Sequence, residues 1–297
     1  MATVLITGTS SGIGLSTALE LARAGHKVIA TMRNPAASPE LAEIAGREGL
    51  AVEVHTLDVN SDESVRSCVG AIAGPVDVLV NNAGVECHGS VEELPMEEII
   101  GTMNTNYFGA IRCIKAVLPR MREARSGCII NISSVAGHIS CPPLGAYAAS
   151  KFALEAISEA LAGEVKPFNI RVTIVEPGIQ DTKLARAIES GTPSLYPQVV
   201  RFSGLFRAAL ANPVAPAATA AVIRQIIESE SPQLRHPSGP DAAPFLAWRA
   251  SLTDEQWIAW NAQDDESWYQ QVERDFGLDA RPQPAAGAGA VGAGTQV

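Results

Sequence analysis

The chain of 297 residues is acidic, with a formal net charge of −10, a pI of about 5.0 and 46% hydrophobic residues. This composition is typical of a folded globular protein with a sizeable core, and its charge argues against nucleic acid and anionic membranes as partners. No apolar run approaches the roughly 20 residues of a membrane-spanning helix. The five cysteines form no Cys-x-x-Cys pair, which predicts reduced thiols and a cytoplasmic location.

A glycine-rich turn connects the first predicted strand to the first predicted helix. Residues 3–7 form a short apolar run, as buried parallel strands do, and apolar residues from position 15 onwards repeat at helical spacing. The glycines in residues 8–14 allow the backbone to approach a diphosphate, and the helix N-terminus offers free N–H groups. An ordinary tight turn would also contain glycine, but the strand–loop–helix order favours a dinucleotide site.

The residue after the second strand bears on the choice of cofactor. In folds of this type the end of that strand, here residues 27–31, faces the adenosine ribose. NAD binding needs an acidic residue there, and residues 28–34 contain none. Arg33 instead suits a 2′-phosphate, with Ser10 as a second donor, although a solvated loop cation is the alternative. The sequence therefore favours NADP(H), with NAD(H) as the alternative cofactor.

Polar residues follow the next two predicted strands. The third strand is expected to end at Asp58 and Val59, where Asp58 either binds the adenine amino group or serves as a turn acid. The fourth strand, residues 76–80, is followed by Asn81-Asn82-Ala83-Gly84. Such a cluster at the C-terminal end of a strand is either a plain turn or a cofactor contact.

The alternation of strands and helices continues to about residue 178. An apolar stripe between residues 103 and 118 predicts a long helix containing Asn106, and the fifth strand, residues 128–132, ends at Ser133-Ser134. Another helix begins near Tyr147, and the sixth strand, residues 170–175, is followed by Glu176-Pro177-Gly178. Six alternations predict βαβ units in a doubly wound parallel sheet, with these polar turns along one edge.

Tyr147 and Lys151 lie four positions apart and therefore share one face of the predicted helix. A neighbouring positive charge lowers the pKa of a phenol below its usual value of about 10. The pair thus predicts a phenol that exchanges a proton near neutral pH. Most isolated Tyr-x-x-x-Lys pairs are surface contacts, so the motifs upstream give this one its weight.

The pattern weakens after Gly178. Residues 180–212 are predicted to form a mobile, partly helical flap within a dinucleotide-binding and catalytic domain of residues 1–230. Residues 231–284 form an extension with all four tryptophans, interpreted as helices docked on the core or on a second subunit. Residues 285–297 are rich in alanine and glycine and are expected to be disordered.

Taken together, these motifs resemble the short-chain dehydrogenase/reductase family over residues 3 to about 182. The resemblance implies a Rossmann-like α/β fold, a single domain with a doubly wound parallel sheet and a helical C-terminal extension. Residues 30–35 and 147–155 are also similar to the branch that holds 17β-hydroxysteroid and retinol dehydrogenases. The motifs that carry the resemblance are Thr7-Gly8-(x)3-Gly12-x-Gly14, Asn81-Asn82-Ala83-Gly84, Asn106, Ser134, Tyr147-(x)3-Lys151 and Pro177-Gly178-(x)3-Thr182.

The resemblance implies roles for individual residues. Tyr147 would be the general acid/base, and Lys151 would lower its pKa and bind the nicotinamide ribose. Ser134 would hydrogen-bond the substrate oxygen, and Asn106 would hold a water in a proton relay. The residues predicted to contact the cofactor are Gly8, Ser10, Ser11, Gly12, Ile13, Gly14, Arg33, Asp58, Val59, Asn82, Ala83, Gly84, Tyr147, Lys151, Pro177, Gly178, Ile179 and Thr182. Those predicted to contact the substrate are Ser134, Val135, Leu144 and Tyr147, with Val85, Ile179 and Leu184 as further apolar walls.

The sequence thus predicts an NADP(H)-dependent oxidoreductase that interconverts a secondary alcohol and a ketone on a bulky apolar substrate, steroid- or retinoid-like, without a metal. A non-catalytic dinucleotide-binding sensor is the alternative, although such proteins usually lack the tyrosine or the lysine. The family commonly associates through the helices of Asn106 and Tyr147, which implies a homodimer or homotetramer. His88 and His138 are expected to be solvated loop residues near the pocket mouth.

Overall fold

The computed structural model describes residues 1–189, 193–229 and 233–282. Within these residues, seven parallel strands form one sheet in the order β3-β2-β1-β4-β5-β6-β7. The strands are β1 Thr3–Thr7, β2 Lys27–Met32, β3 Val52–Thr56, β4 Val78–Asn81, β5 Gly127–Ile132, β6 Ile170–Pro177 and β7 Arg235–Ser238. The helices are α1 Gly12–Arg23, α2 Glu40–Glu48, α3 Asp62–Ala71, α4 Met96–Met103, α5 Gly109–Ala124, α6 Gly145–Val165, α7 Lys183–Glu189, α8 Pro197–Leu210, α9 Ala217–Glu228, α10 Ala242–Ala250, α11 Asp254–Asn261 and α12 Asp265–Phe276.

Both faces of the sheet are buried, which explains why its strands read as continuous apolar runs. Along β1, Leu5 packs with helices α3 and α5 on one face, while Val4 and Ile6 pack with α1 and α9 on the other. Burying each such side chain contributes about 1.5–3 kcal/mol. The predicted doubly wound α/β fold is therefore confirmed.

The strand order reverses direction at β1, which lies between β2 and β4. In open parallel sheets, such a reversal leaves a crevice beyond the carboxyl ends of the strands. The loops after β1, β4, β5 and β6 border this crevice, and they carry the motifs that the sequence analysis selected. Topology therefore brings residues that are far apart in the chain to one edge.

The seventh strand was missed by the sequence analysis. β7 has the sequence Arg-His-Pro-Ser, without apolar alternation, and it pairs with β6 from Ile174↔Arg235 to Pro177↔Ser238. Its proline is tolerated because the strand lies at the edge of the sheet. The third strand also ends earlier than predicted, at Thr56 rather than at Asp58 and Val59.

The single long helix predicted around Asn106 consists of α4, a π-helical turn at Asn104–Phe108, and α5. In this wider turn the Asn106 amide accepts from the Val85 N–H at 2.8 Å and donates to the Val85 carbonyl at 2.9 Å. Turns of this kind occur often at functional sites. Here the turn joins the helix pair to the loop after β4.

The C-terminal extension is helical, as predicted, and its helices α10, α11 and α12 carry all four tryptophans. It packs on α8, where a Cβ added to Gly204 would lie 2.1 Å from the Ala280 carbonyl oxygen. The predicted flap contains α7 and α8, and the predicted disordered tail, residues 285–297, lies outside the described residues. Among the described helices, none is long and apolar enough to cross a membrane.

Candidate active site

One cavity of about 380 Å³ runs along the carboxyl edge of the sheet. It is lined by every candidate site residue of the sequence analysis except Asn106. The glycine-rich loop, the loops after β4 and β5, the pair on α6 and the segment after β6 thus share a single space. The sequence predicted this convergence from the positions of these residues at strand ends.

The glycine-rich loop needs its glycines for close packing. Gly8 has a φ of +73°, and a Cβ there would lie 2.7 Å from the Ala83 Cα. A Cβ on Gly14 would lie 2.3 Å from the Gly8 carbonyl oxygen. The Asn82 amide donates to the carbonyls of Thr7 and Gly8 at 2.9 and 3.0 Å. Asn82 therefore fixes the loop that borders the cavity.

The start of α1 fits a pyrophosphate. Ser11 is the N-cap residue, with extended backbone, and its side chain makes no capping hydrogen bond within the described chain. The first-turn N–H groups of α1 and the helix dipole therefore favour an anion at this end. The hydroxyl residues Ser10 and Ser11 line the same part of the cavity. The residues present here suit the diphosphate of a dinucleotide.

Arg33, which follows β2, lines the cavity and is exposed. It has no hydrogen bond or ion pair with any residue that the structure describes. Asp58 also lines the cavity, and one of its carboxylate oxygens accepts from the Asn60 N–H at 3.0 Å. The turn role foreseen for Asp58 is therefore present in the structure, and Arg33 is placed where a phosphate could reach it.

Ser134, Tyr147 and Lys151 meet where β5 ends beside α6. The Ser134 Oγ accepts from the Ala136 N–H at 3.1 Å and donates to the Pro177 carbonyl at 3.5 Å, and it is near enough to the Tyr147 hydroxyl to lower the pKa of that phenol. The Lys151 Nζ lies 5.6 Å from the centroid of the Tyr147 ring and donates to the Ile132 carbonyl at 2.9 Å. A hydroxyl, a phenol and an amine thus line one cavity, an arrangement that suits proton transfer.

Burial moves the pKa values of the two α6 residues in opposite directions. It raises the pKa of Tyr147 to about 12, an effect that the nearby Ser134 hydroxyl partly offsets. It also lowers the pKa of Lys151 to about 8. The net shift of the phenol pKa is therefore upward, and Lys151 is not among the groups that cause it, so its expected effect on Tyr147 stays a prediction. Desolvation of the phenolate is the largest cause of the rise.

Asn106 lies outside the cavity lining. Besides its two bonds to Val85, its amide donates to the Ser150 Oγ at 2.9 Å, and the Ser150 hydroxyl donates to the Tyr147 carbonyl at 2.7 Å. The side chain is buried and its polar groups are engaged. Asn106 therefore connects the π-helical turn to the helix of Tyr147, and its side chain is committed to that connection.

Asp241, at the start of α10, was missed by the sequence analysis. Its carboxylate accepts from the Ile179 N–H at 2.7 Å, and burial raises the pKa of Asp241. A Cβ added to Gly178 would lie 2.2 Å from the Asp241 Oδ1. The Ile179 backbone was expected to contact the nicotinamide carboxamide, yet this amide is engaged by Asp241. The extension thus fixes the segment after β6.

His88 is mostly buried, contrary to the prediction of a solvated loop residue, whereas His138 is exposed as predicted but pairs with two carboxylates. The carboxylates of Glu155 and Glu176, both buried, raise the pKa of His138 to about 9, with Glu176 at 2.9 Å from the Nε2. The His88 Nδ1 lies 2.9 Å from Glu86, and both side chains are mostly buried. His138, Glu155 and Glu176 are close enough together to hold a metal ion. However, Arg235 also donates to Glu155, at 3.0 Å. Two cations therefore already balance the two carboxylates.

Aromatic residues of the extension line the same cavity as Tyr147. The sequence analysis interpreted this region as helices docked on the core or on a second subunit. It did not predict that these helices line the cavity. The concentration of all four tryptophans within 21 residues was the available signal. The aromatic lining consists of Phe245, Trp248, Trp257, Trp260, Trp268 and Phe276.

Comparison with known proteins agrees with this geometry. The family model described as short chain dehydrogenase matches residues 2–193. Retinol dehydrogenase 8 of Bos taurus is 40% identical over 264 residues, which cover 84% of this chain and 85% of the relative. The 3-ketodihydrosphingosine reductase of Bacteroides thetaiotaomicron is 39% identical, covering 80% and 87%.

Solved structures show the same similarity. A short-chain dehydrogenase from Streptomyces avermitilis has a TM-score of 0.73 and 35% identity, covering 92% of this chain and 98% of that one. A variant of actinorhodin polyketide ketoreductase, solved with NADPH, has a TM-score of 0.71 and 28% identity, covering 80% and 95%.

Proposed function

The chain belongs to the short-chain dehydrogenase/reductase family, and we propose that it interconverts a secondary alcohol and a ketone on a bulky apolar substrate with NADP(H). The observation that supports this best is the meeting of Ser134, Tyr147 and Lys151 in one cavity with the glycine-rich loop. Each element has a chemical use there: proton transfer, charge stabilisation and binding of a diphosphate.

NADP(H) is favoured by the charge at the adenosine end. Arg33 lines the cavity, and no acidic residue stands between positions 28 and 34. The actinorhodin ketoreductase, which has a similar fold, was solved with NADPH. Gly12, Ser11 and the α1 N-terminus would hold the pyrophosphate, and Lys151 and Thr182 would hold the nicotinamide half. When bound, the nicotinamide supplies or accepts the hydride.

The residues of the chain then handle the proton and the developing charge. In the reductive direction, the Tyr147 hydroxyl gives its proton to the substrate oxygen, and in the oxidative direction it takes that proton back. Ser134 donates a hydrogen bond to the same oxygen, where negative charge develops. The Lys151 ammonium stabilises the phenolate that remains. The relay water that the resemblance assigns to Asn106 stays part of this proposal, although the Asn106 side chain is engaged by Val85 and Ser150.

The substrate is proposed to be bulky and weakly polar. The four apolar residues Val85, Val135, Leu144 and Leu184, which the sequence analysis proposed as substrate walls, line the cavity. Two relatives are named for retinol and for 3-ketodihydrosphingosine. Such a lining favours burial of an apolar alcohol or ketone and disfavours a charged one.

We also propose that the protein acts in the cytoplasm as a homodimer or homotetramer. All five cysteines have free thiols, as expected in a reducing compartment. Phe108, in the π-helical turn, and Phe152, on α6, are both exposed. Large exposed apolar side chains on neighbouring helices are typical of a protein interface.

Replacing Tyr147 by phenylalanine tests the proposed role directly. The variant Tyr147→Phe lacks the transferable proton, so ketone-dependent NADPH oxidation should fall by about 10²- to 10⁴-fold. NADPH binding, measured by nucleotide fluorescence, should stay within a few-fold of the wild type. The matched control is Tyr196→Phe, since Tyr196 is an exposed tyrosine outside the cavity. Wild-type turnover in Tyr147→Phe would refute the assigned role.

A further inference from the structure

One face of α8 runs along the cavity beyond the catalytic residues. Its lining positions follow helical spacing at i, i+3, i+4, i+7 and i+8, namely Gln198, Arg201, Phe202, Leu205 and Phe206. Eight residues of helix correspond to ~12 Å. The cavity therefore has a long wall, longer than a small ketone would need.

The wall connects the catalytic residues to the aromatic lining. Phe202, Leu205 and Phe206 pack in the same cluster as Tyr147 and Leu144. Leu205 also packs with the cluster that contains Trp260 and Trp268. An elongated apolar molecule with its reacting carbon at Tyr147 would therefore extend along α8 towards the tryptophans of the extension.

Two buried polar groups interrupt this apolar lining. Arg201 is only 3% exposed, and its guanidinium lies over the Trp268 ring at 5.9 Å. The Arg201 Nε and Nη2 both contact the Asp265 carboxylate at 2.6 Å. The Arg201 Nη1 and the Gln198 Oε1 are buried and have no hydrogen-bond partner among the described residues. Native proteins rarely leave buried donors and acceptors unpaired, because each such group loses its hydrogen bonds to water without replacing them.

We propose that Arg201 and Gln198 form a distal subsite for a second oxygen function, a hydroxyl or a carboxyl, at the far end of an elongated apolar substrate. The Arg201 Nη1 donates to that oxygen, and the Gln198 amide completes the contact. With the amide as placed, its oxygen accepts from a hydroxyl, whereas the reversed amide donates to a carboxylate. The proposal rests on the proposed function, because it places the reacting carbon at Tyr147.

A purely structural role for Arg201 is the competing explanation. The ion pair with Asp265 connects α8 to α12 and would hold the extension in place without any ligand. The two explanations make different predictions for variants at Gln198, which takes no part in that ion pair. They also make different predictions for variants at Asp265, which forms the ion pair and whose side chain is 62% exposed.

The test compares three ketones with the wild-type enzyme: an elongated aryl ketone, and its analogues with a hydroxyl or a carboxyl at the opposite end. A distal hydrogen bond to Arg201 should make kcat/KM for one analogue about 10- to 100-fold higher than for the parent ketone, mainly through KM. In Gln198→Leu and Arg201→Met this preference should fall towards unity. The favoured analogue identifies the oxygen function.

Two control variants separate the explanations. Arg249→Met removes another arginine stacked on a tryptophan, Trp257 at 5.0 Å, and should keep the preference. Asp265→Asn removes the ion pair and should keep it as well. A loss in Asp265→Asn as large as in Arg201→Met would show a structural role and overturn the proposal. If Arg201→Met does not fold, Gln198→Leu still decides the outcome.

A binding measurement distinguishes failure of the subsite from failure of the proposed function. All four tryptophans line this part of the cavity, so ligand binding should change their fluorescence. In Tyr147→Phe the favoured analogue should bind at least about 10-fold more tightly than the parent ketone, whether or not turnover is detectable. Equal affinity for all three ketones would overturn the subsite.

Discussion

At the residue scale, the buried amine of Lys151 is unfavourable for the stability of the fold but suits its proposed role in proton transfer. The lysine is only 5% exposed, and its Nζ donates to the Ile132 carbonyl. Burial lowers its pKa to about 8, so the ammonium is disfavoured by its surroundings. Active sites often retain such unfavourable groups because stability is traded for activity.

The variant Lys151→Met should separate these two effects. A pKa that falls from 10.5 to about 8 corresponds to roughly 3 kcal/mol of destabilisation at neutral pH, partly offset by about 1 kcal/mol from the hydrogen bond. We expect the free energy of unfolding at pH 7, measured in urea, to rise by about 1–2 kcal/mol while turnover collapses.

The pH dependence supplies a second readout for the same variant. A lysine with a depressed folded-state pKa destabilises the protein below about pH 8. This penalty is relieved as the pH rises towards the unfolded value of about 10.4. Between these pH values, the free energy of unfolding of the wild type should therefore rise relative to that of Lys151→Met. A variant less stable than the wild type at pH 7 would contradict this account.

Arg33 determines the choice between the two nicotinamide cofactors in our proposal. Loss of a charge-assisted contact to the 2′-phosphate costs about 1.5–3 kcal/mol. Arg33→Ala should therefore reduce the ratio of kcat/KM for NADPH to that for NADH by about 10- to 100-fold. Arg47→Ala, which removes an exposed charge on α2 outside the cavity, is the matched control. An unchanged ratio in Arg33→Ala would show that this arginine is only a solvated cation.

At the element scale, the C-terminal extension fixes the position of the segment that follows β6. Asp241 accepts from the Ile179 N–H, and its carboxylate occupies the space that a side chain at Gly178 would need. The same segment lines the cavity through Pro177, Gly178 and Ile179. Helix α10 therefore helps to set the position of residues proposed to contact the cofactor.

Gly178→Ala should displace the Asp241 carboxylate, because the new Cβ would lie 2.2 Å from its Oδ1. We expect a loss of about 1–3 kcal/mol in the free energy of unfolding and a raised KM for NADPH. In the double variant Gly178→Ala with Asp241→Ala the clash is removed, so the two losses should be less than additive. Strict additivity in thermal and urea unfolding would show that the two side chains do not compete for space.

At the scale of the whole molecule, a set of exposed apolar side chains offers a surface for the proposed association between copies. Phe108 and Phe152 are 47% and 43% exposed and lie on the helical elements that carry Asn106 and Tyr147. Met96 and Ile100 on the neighbouring α4 are also exposed. Covering these side chains with a second copy would remove apolar area from water at about 25 cal/mol per Å².

The variant Phe152→Glu should weaken this proposed interface by burying a charge at its centre. We expect the mass measured by light scattering after size exclusion to fall towards that of the 31.1 kDa monomer. Ile258→Glu is the control, since Ile258 is 66% exposed on α11 of the extension. An unchanged mass in Phe152→Glu would place the interface elsewhere or leave the protein monomeric.

The sequence by itself determined the fold class and the gathering of the candidate residues at one edge. Apolar periodicity is a local property, so strands β1 to β6 could be read from the chain. Parallel strands place all their carboxyl ends on the same edge, so Gly8, Asn82, Ser134 and Gly178 had to be neighbours. No tertiary contact was needed for that conclusion.

Only the tertiary structure decided the features that depend on burial and on distant partners. Asp241 and Ile179 are 62 positions apart, and Arg201 and Asp265 are 64. The raised pKa of Tyr147 follows from desolvation, which no spacing reveals. β7 exists because β6 offers it a free edge, not because its residues favour a strand. A sequence pattern records which residues are near along the chain, whereas packing decides which are near in space.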